Sequence, residues 1–352
     1  MSRRCLKCGS VYEGEARFCP KDGSPLVDVA ARQSTAASGT SVRKAAPTPA
    51  VDRAASLSDT VLDGRYQVTR KLGEGGMSYV YEAVEIGTDH SVAIKVMSPK
   101  LASDKTAVER LRREAGLAMR LDHPNACKIL RLGETEDGII YLVMPYLKGE
   151  LLSDREVRVG PMAPELGVAL LAEICAGLHE AHKLNIVHRD LKPENIMLVP
   201  GEDGYDHAVV MDFGLAKENR NDPGAQKLTA TGIILGTPEF MSPEQIRGKP
   251  LDARSDVYAL GILAFEMFTG KLPFQGRNAQ EMMIARLRSH PMPIRQLRAD
   301  VPPPVERALT KALQTNPDHR FTTALEFGDA LTGSGESSGG GGLFGKLKEK
   351  FT

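Results

Sequence analysis

The chain has 352 residues, and 45 Lys and Arg stand against 45 Asp and Glu, so the formal net charge is zero. Balanced charge gives no overall pull toward nucleic acid or an anionic membrane, which argues against polyanion binding as the main activity. The length suits one two-lobed domain with small attachments, and no apolar run reaches the roughly eighteen residues that a membrane-spanning helix needs.

The first residues are basic with no apolar stretch behind them, so no signal peptide is expected. Three of the five cysteines fall within the first nineteen residues and the other two lie far apart. That is not a disulfide framework, and a cytoplasmic, reducing location is the expectation. Cys5-Leu6-Lys7-Cys8-Gly9 and Phe18-Cys19-Pro20-Lys21-Asp22-Gly23 read as two knuckle turns. A Cys-x-x-Cys turn points two thiolates at one tetrahedral ion, and Cys5, Cys8, Cys19 and Asp22 would make an S₃O zinc site in a ribbon-like module over residues 1–28. The second turn carries Asp22 where a ribbon normally has cysteine. The competing reading is an unstructured arm with an incidental or redox-active thiol pair. A segment this short needs a metal to hold a fold. Four protein ligands leave no open position, so the module is expected to hold a protein partner, and it lacks the interleaved basic and aromatic residues of a nucleic-acid binder.

Residues 29–61 are mostly Ala, Ser, Thr, Pro, Gly, Arg and Lys with little to bury, and read as a flexible linker. A folded domain is expected over 62–331. Leu72-Gly73-Glu74-Gly75-Gly76-Met77-Ser78-Tyr79-Val80 lies between β-rich runs at 66–71 and 79–84. A glycine-rich turn between antiparallel strands lets backbone N–H groups lie over phosphate oxygens. Val92-Ala93-Ile94-Lys95 is an apolar strand ending in one lysine, which would be costly in a dry lobe without an anion. Residues 107–121 have helical periodicity, with Leu111, Ala115, Ala118 and Leu121 on one side. Glu114 lies toward that side as the partner expected for Lys95, while Glu109 falls off the face. Residues 139–147 read as a strand, and 165–183 as a long helix with Leu166, Ala169, Leu170, Ile174 and Leu178 buried. Cys127 and Cys175 read as small packing residues.

His188-Arg189-Asp190-Leu191-Lys192-Pro193-Glu194-Asn195 is followed, after two short apolar strands, by Asp212-Phe213-Gly214. The hairpin sets the two loops side by side. Asp190 can accept a proton from a hydroxyl, Lys192 can neutralise charge on a phosphoryl group, and Asn195 and Asp212 offer hard oxygens suited to Mg²⁺.

On these residues the chain resembles the eukaryotic-like protein kinases, more narrowly the bacterial Hanks-type serine/threonine kinases. The resemblance implies an α+β, bilobal protein kinase fold with a β-rich N-lobe and an α-rich C-lobe. It implies ATP under the glycine-rich turn, Ala93 and Lys95 at the nucleotide, and a Lys95–Glu114 pair. Met144 becomes the gatekeeper, the Pro145 carbonyl and the Leu147 N–H face adenine, and Glu150 either reaches the ribose or stands as an exposed glutamate. His188 packs near Phe213, and Asp256 caps backbone N–H groups of the catalytic loop. Glu244, in Met241-Ser242-Pro243-Glu244, pairs with Arg320. Thr237 hydrogen-bonds the catalytic aspartate and lysine, and a phosphate on Thr229 or Thr231 meets Arg189. Lys192-Pro193-Glu194 favours serine or threonine acceptors on protein substrates. The alternative is a pseudokinase scaffold assembling partners through ribbon and tail; such scaffolds usually lack one of the residues seen here as Lys95, Asp190 and Asp212. Helices are expected over 279–289 and 304–313. Residues 332–342 form a Gly/Ser tether, and 343–352 set Leu343, Phe344, Leu347 and Phe351 on one helical side. That tail suits weak membrane-surface or protein docking, or is a frayed terminus.

Overall fold

The structure, a computed structural model, describes residues 2–5, 11–13, 26–28, 53–75, 78–213 and 238–333. The expectations for Cys8, Cys19, Asp22, Gly76, Met77, Gly214, Thr229, Thr231, Thr237 and the 343–352 tail lie outside the described residues, as do the side chain of Cys5 and most of the two linkers. The chain divides into two units, Met1–Pro47 and Thr48–Thr352.

In the first unit, β1 (Ser2–Cys5), β2 (Val11–Glu13) and β3 (Leu26–Asp28) form an antiparallel sheet in the order β2-β1-β3.

The second unit opens with a six-stranded antiparallel sheet. Its strands are β4 (Val61–Leu62), β5 (Tyr66–Gly75), β6 (Ser78–Glu85), β7 (Ser91–Met97), β8 (Arg131–Glu134) and β9 (Ile140–Pro145), in the order β4-β5-β6-β7-β9-β8. Strand β7 is central and buried on both faces, so its apolar run is nearly unbroken. Side chains alternate across a strand. Val92, Ile94 and Val96 therefore join one cluster with Tyr66, Val68, Tyr81 and Tyr141. Ala93, Lys95 and Met97 point the other way, where Met97 packs with Leu111 and Ala115 of a helix. That helix is α2 (Lys105–Ala118), preceded by the single turn α1 (Pro99–Ala102). Asp104 caps it by accepting from the N–H groups of Thr106 and Ala107, which starts the helix two residues before the apolar periodicity does.

The boundary expected at residue 62 is too late. Ala54 and Leu57 are buried in the sheet's outer cluster, Leu57 to 2% exposure. The buried Tyr81 hydroxyl donates to the Ala54 carbonyl at 2.8 Å, and Arg53 pairs with Asp137. A buried hydroxyl needs an acceptor, and two apolar residues suffice to dock a segment whose average composition reads as linker.

The helical lobe begins with β10 (Glu150–Leu151), α3 (Leu152–Val159) and α4 (Pro164–Lys183). Strands β11 (Ile196–Pro200) and β12 (Asp206–Val210) form the expected hairpin, giving a sheet in the order β10-β11-β12. After α5 (Pro243–Ile246) comes α6 (Ala253–Thr269), buried around almost its whole circumference. Helices α7 (Ala279–Arg288), α8 (Pro303–Ala312) and α9 (Ala324–Thr332) close the lobe. The stripe expected on α4 is displaced. Leu166 is exposed and Ala169 half-buried, while Val168, Leu171, Cys175 and Ala181 join Leu170, Ile174 and Leu178 inside. A helix this apolar carries too little polar contrast for its phase to be read.

Candidate active site

The loop from His188 to Asn195 is held from below by α6. Asp256 is buried and accepts from the His188 N–H at 2.8 Å and the Arg189 N–H at 2.9 Å, as expected of a cap. It also accepts from His182 Nε2 at 2.7 Å, a partner the sequence reading missed. Burial alone would push the Asp256 carboxyl up. The His182 hydrogen bond, the two nearby imidazoles and the backbone donors outweigh it and hold the carboxyl below the usual range.

His188 packs edge-on against Phe213, ring centroids 5.2 Å apart. Its ring does more than pack. Nε2 lies 2.7 Å from the Met211 carbonyl, which can only accept, so Nε2 carries the proton. Nδ1 then accepts from the Asp190 N–H at 3.3 Å. One imidazole thus ties the Asp190 loop to the chain just before Asp212.

Around Asp190, Asn195 Nδ2 donates to the Asp190 carbonyl at 2.7 Å and lies 3.4 Å from its Oδ2, and Lys192 Nζ stands 3.7 Å from the same carboxyl oxygen. The Met211 N–H donates to the Asn195 carbonyl at 2.8 Å, extending the hairpin register that pairs Ile196 with Val210. Arg189 (φ 66°) and Asp212 (φ 58°) both adopt the left-handed conformation that side chains disfavour.

Lys95 is 8% exposed and donates to Asp212 Oδ1 at 2.7 Å. Burial opposes the charged Asp212 carboxylate, but the Lys95 charge and hydrogen bond, with His188 and Lys192 behind them, hold its carboxyl below the ordinary value. Lys95 thus takes Asp212 as a partner, a pairing the sequence reading did not name. Glu114 stands half-buried beside the apolar stripe of α2. A buried ammonium needs an anion beside it, and Asp212, in its left-handed turn, supplies one.

Ala93 pairs in register with Met144, and Val92 with Pro145, so the Lys95 strand and the expected adenine-facing segment are neighbours. Gly149 sits where a Cβ would lie 2.1 Å from the Leu198 carbonyl, which requires glycine at this approach to β11. Glu150 is half-buried. It accepts from Arg155 at 2.6 Å and from Arg158 at 2.8 and 2.7 Å, and these hydrogen bonds, Arg158's first, take its carboxyl down to about 2. In the glycine-rich turn, Gly73 opposes Val80, Glu74 opposes Tyr79 and Gly75 opposes Ser78. Leu72 is exposed there, and Lys71 pairs with Glu74 while lying 4.5 Å over the Tyr79 ring. Cys127 and Cys175 are buried, and burial pushes the Cys127 thiol up to about 12, so it behaves as packing.

Beyond the cleft, Arg320 forks onto Glu244 at 2.7 and 2.8 Å, the expected bridge, with Ser255 donating to the same carboxylate at 2.7 Å. Arg286 of α7, 1% exposed, donates to the carbonyls of Pro238 and Glu239. No spacing in the sequence signals that contact.

Comparison with known proteins follows the same geometry. The family model described as "Protein kinase domain" matches residues 66–328. The chain is 39% identical over 265 residues to a serine/threonine-protein kinase, pkn3, of Myxococcus xanthus, covering 75% of this chain and 48% of that protein. It is 39% identical over 263 residues to PrkC of Bacillus subtilis, covering 75% of this chain and 39% of the relative. It thus spans less than half the length of these curated relatives. The crystal structure of the Mycobacterium tuberculosis PknI kinase domain superposes with a TM-score of 0.62 at 26% identity, over 80% of this chain and 100% of that one. By sequence and by fold, the chain belongs to the protein kinase domain family.

Proposed function

We propose that the protein transfers the γ-phosphoryl group of ATP to serine or threonine hydroxyls of protein substrates. The observation that carries this reading is the gathering of Lys95, Asp190, Lys192, Asn195 and Asp212 at the ends of one hairpin. Asp190 orients the acceptor hydroxyl and takes its proton. Lys192, beside Asp190, offsets negative charge on the transferring group. Lys95 holds phosphate oxygens of the nucleotide. Asn195 and Asp212 suit Mg²⁺. Asn195 commits its nitrogen to Asp190, and neither its Oδ1 nor Asp212 Oδ2 takes a hydrogen bond among the described residues, so two hard oxygens remain for the ion. Bound there, Mg²⁺ would neutralise phosphate charge. The same reading gives Thr237 a place beside Asp190 and Lys192, and makes Thr229 and Thr231 the sites whose phosphorylation engages Arg189.

Radiolabel from ATP should appear on the chain itself or on a basic test protein, and D190N should lower the rate by about 10² to 10⁴ while nucleotide still binds. D190N labelling at the wild-type rate would remove the assignment. Mass spectrometry after autophosphorylation should place phosphate on Thr229 or Thr231; full activity with both unmodified would end that part.

We also propose that residues 1–28 hold a zinc ion on Cys5, Cys8, Cys19 and Asp22 and serve as a partner-holding module. The Cys5-x-x-Cys8 and Cys19-x-x-Asp22 spacings support that reading. Metal analysis of the purified chain should find one zinc that C5S/C8S removes. No helix among the described residues is long and apolar enough to cross a membrane; cytoplasmic residence is part of the proposal, tested by fractionation.

A further inference from the structure

Arg189 precedes the proposed base and sits in a strained backbone conformation, φ 66°. Strain of this kind persists only where the surroundings hold it. Asp256 fixes the N–H side of Arg189. The carbonyl side belongs to the peptide plane joining Arg189 to Asp190, and its two ends have separate holders. The Asp190 N–H donates to His188 Nδ1, and the Arg189 carbonyl accepts from Gln245 Nε2 at 2.7 Å.

Gln245 is the third residue of α5, the turn that follows the 238–240 segment. Its Oε1 accepts from the Ser242 N–H at 2.8 Å, and its own N–H donates to Ser242 Oγ at 3.3 Å, a reciprocal capping box. The carboxamide is therefore used at both ends. A backbone donor faces its oxygen and a backbone acceptor faces its nitrogen, which fixes its orientation.

We propose that Gln245 is a positioning residue for Asp190: its amide nitrogen locks the Arg189–Asp190 peptide plane to the capping box of α5, so the base is aimed correctly only while α5 is seated. The inference rests on the phosphotransfer reading and deepens it. A capping box needs only an acceptor from this side chain. Glutamate would serve the cap equally well, and only the link to Arg189 demands an amide.

That difference supplies the test. Q245E keeps shape and cap but sets a carboxylate oxygen against the Arg189 carbonyl. At about pH 8, kcat on a protein acceptor should fall at least about 10-fold, because small misplacements of reacting groups are costly, with both KM values within about 2-fold. A carboxyl facing a carbonyl is easier to protonate than usual, and once protonated its O–H donates where the amide did. The deficit relative to wild type should thus shrink as pH falls toward about 5.5. Q245M fills the same volume with no polar end and should show the loss without acid recovery. Melting curves accompany both variants. An active wild type with Q245E unimpaired, or a Q245E deficit that ignores pH as the Q245M deficit does, overturns the inference alone. Two variants that no longer melt cooperatively would make Gln245 a folding residue and overturn it equally. A wild type that transfers no phosphate removes the phosphotransfer reading, and this inference falls with it.

Discussion

Replacing Arg320 by methionine should destabilise the domain at neutral pH by roughly 3–5 kcal/mol, the range for halving a buried ion pair. The Arg320 side chain is fully buried and that of Glu244 is 7% exposed, so water screens neither. Arg320 also donates to the carbonyls of Gln314 (2.7 Å), Arg254 (2.9 Å) and Thr315 (3.2 Å), and lies 4.7 Å over the Tyr258 ring. R320M would leave Glu244 with the Ser255 hydroxyl as its remaining side-chain donor among the described residues. Urea unfolding with an unchanged m-value would report the loss as a lower midpoint. The loss should depend on pH in a fixed direction. Burial pushes the Glu244 carboxyl up, but Arg320 outweighs it and holds the folded value below normal, so the wild-type pair stabilises above the unfolded carboxyl value, about 4.3, and fades as pH falls through the folded one. Without Arg320 the same burial raises the folded value above the unfolded one, and the penalty then eases as acid protonates the stranded carboxyl. The R320M deficit should be smaller near pH 5 than near pH 8, by about 1 kcal/mol or more. A deficit below about 1 kcal/mol at neutral pH, or one that grows in acid, would refute this account.

Leu57→Ala should cost about 2–4 kcal/mol, as for other buried leucines, whereas a linker residue would cost nothing; thermal melts of a chain starting at residue 62 should show the same weakness. His207 bridges Glu173 of α4 (2.7 Å) and Asp203 of the hairpin turn (3.2 Å). The Glu173 hydrogen bond raises its folded value, so its contribution is complete below the unfolded histidine value, about 6.5, and is lost as pH rises through the folded one. The stability gap between wild type and H207Q should close from about pH 6 to pH 9 and stay under about 1 kcal/mol, since the side chain is 41% exposed. A gap that widens with pH would contradict the bridge.

The chemistry of the site was legible because it lies in two short contiguous stretches. Asp190, Lys192 and Asn195 are neighbours in the chain, and a hairpin of readable strands brings Asp212 beside them. Asp256 and the Glu244–Arg320 bridge were reachable through family resemblance. What stayed hidden was the choice of partner between distant residues. Tyr81 and Ala54 are 27 positions apart, Gln245 and Arg189 are 56, and Arg286 and Pro238 are 48. Such contacts are set by how lobes pack, which periodicity does not encode. Lys95 shows the limit within one residue. The strand pattern gave the face it points to, but not that the Asp212 carboxylate would meet it there.

The two strained residues are held from different sides. The backbone of Arg189 is held within the helical lobe by Asp256 from α6, at its N–H, and by Gln245 from α5, at its carbonyl. The Asp212 carboxylate takes its hydrogen bond from Lys95 of β7, in the strand-rich lobe. Any shift of that lobe is therefore felt first at Asp212, while Asp190 keeps its aim as long as α5 and α6 do. On the proposed reading, the contacts that aim Asp190 come from α5 and α6, while the proposed Mg²⁺ ligand Asp212 is met by Lys95 of the other lobe. A lesion in β7 should then impair nucleotide handling and leave the acceptor site intact, and a lesion in α5 should do the reverse.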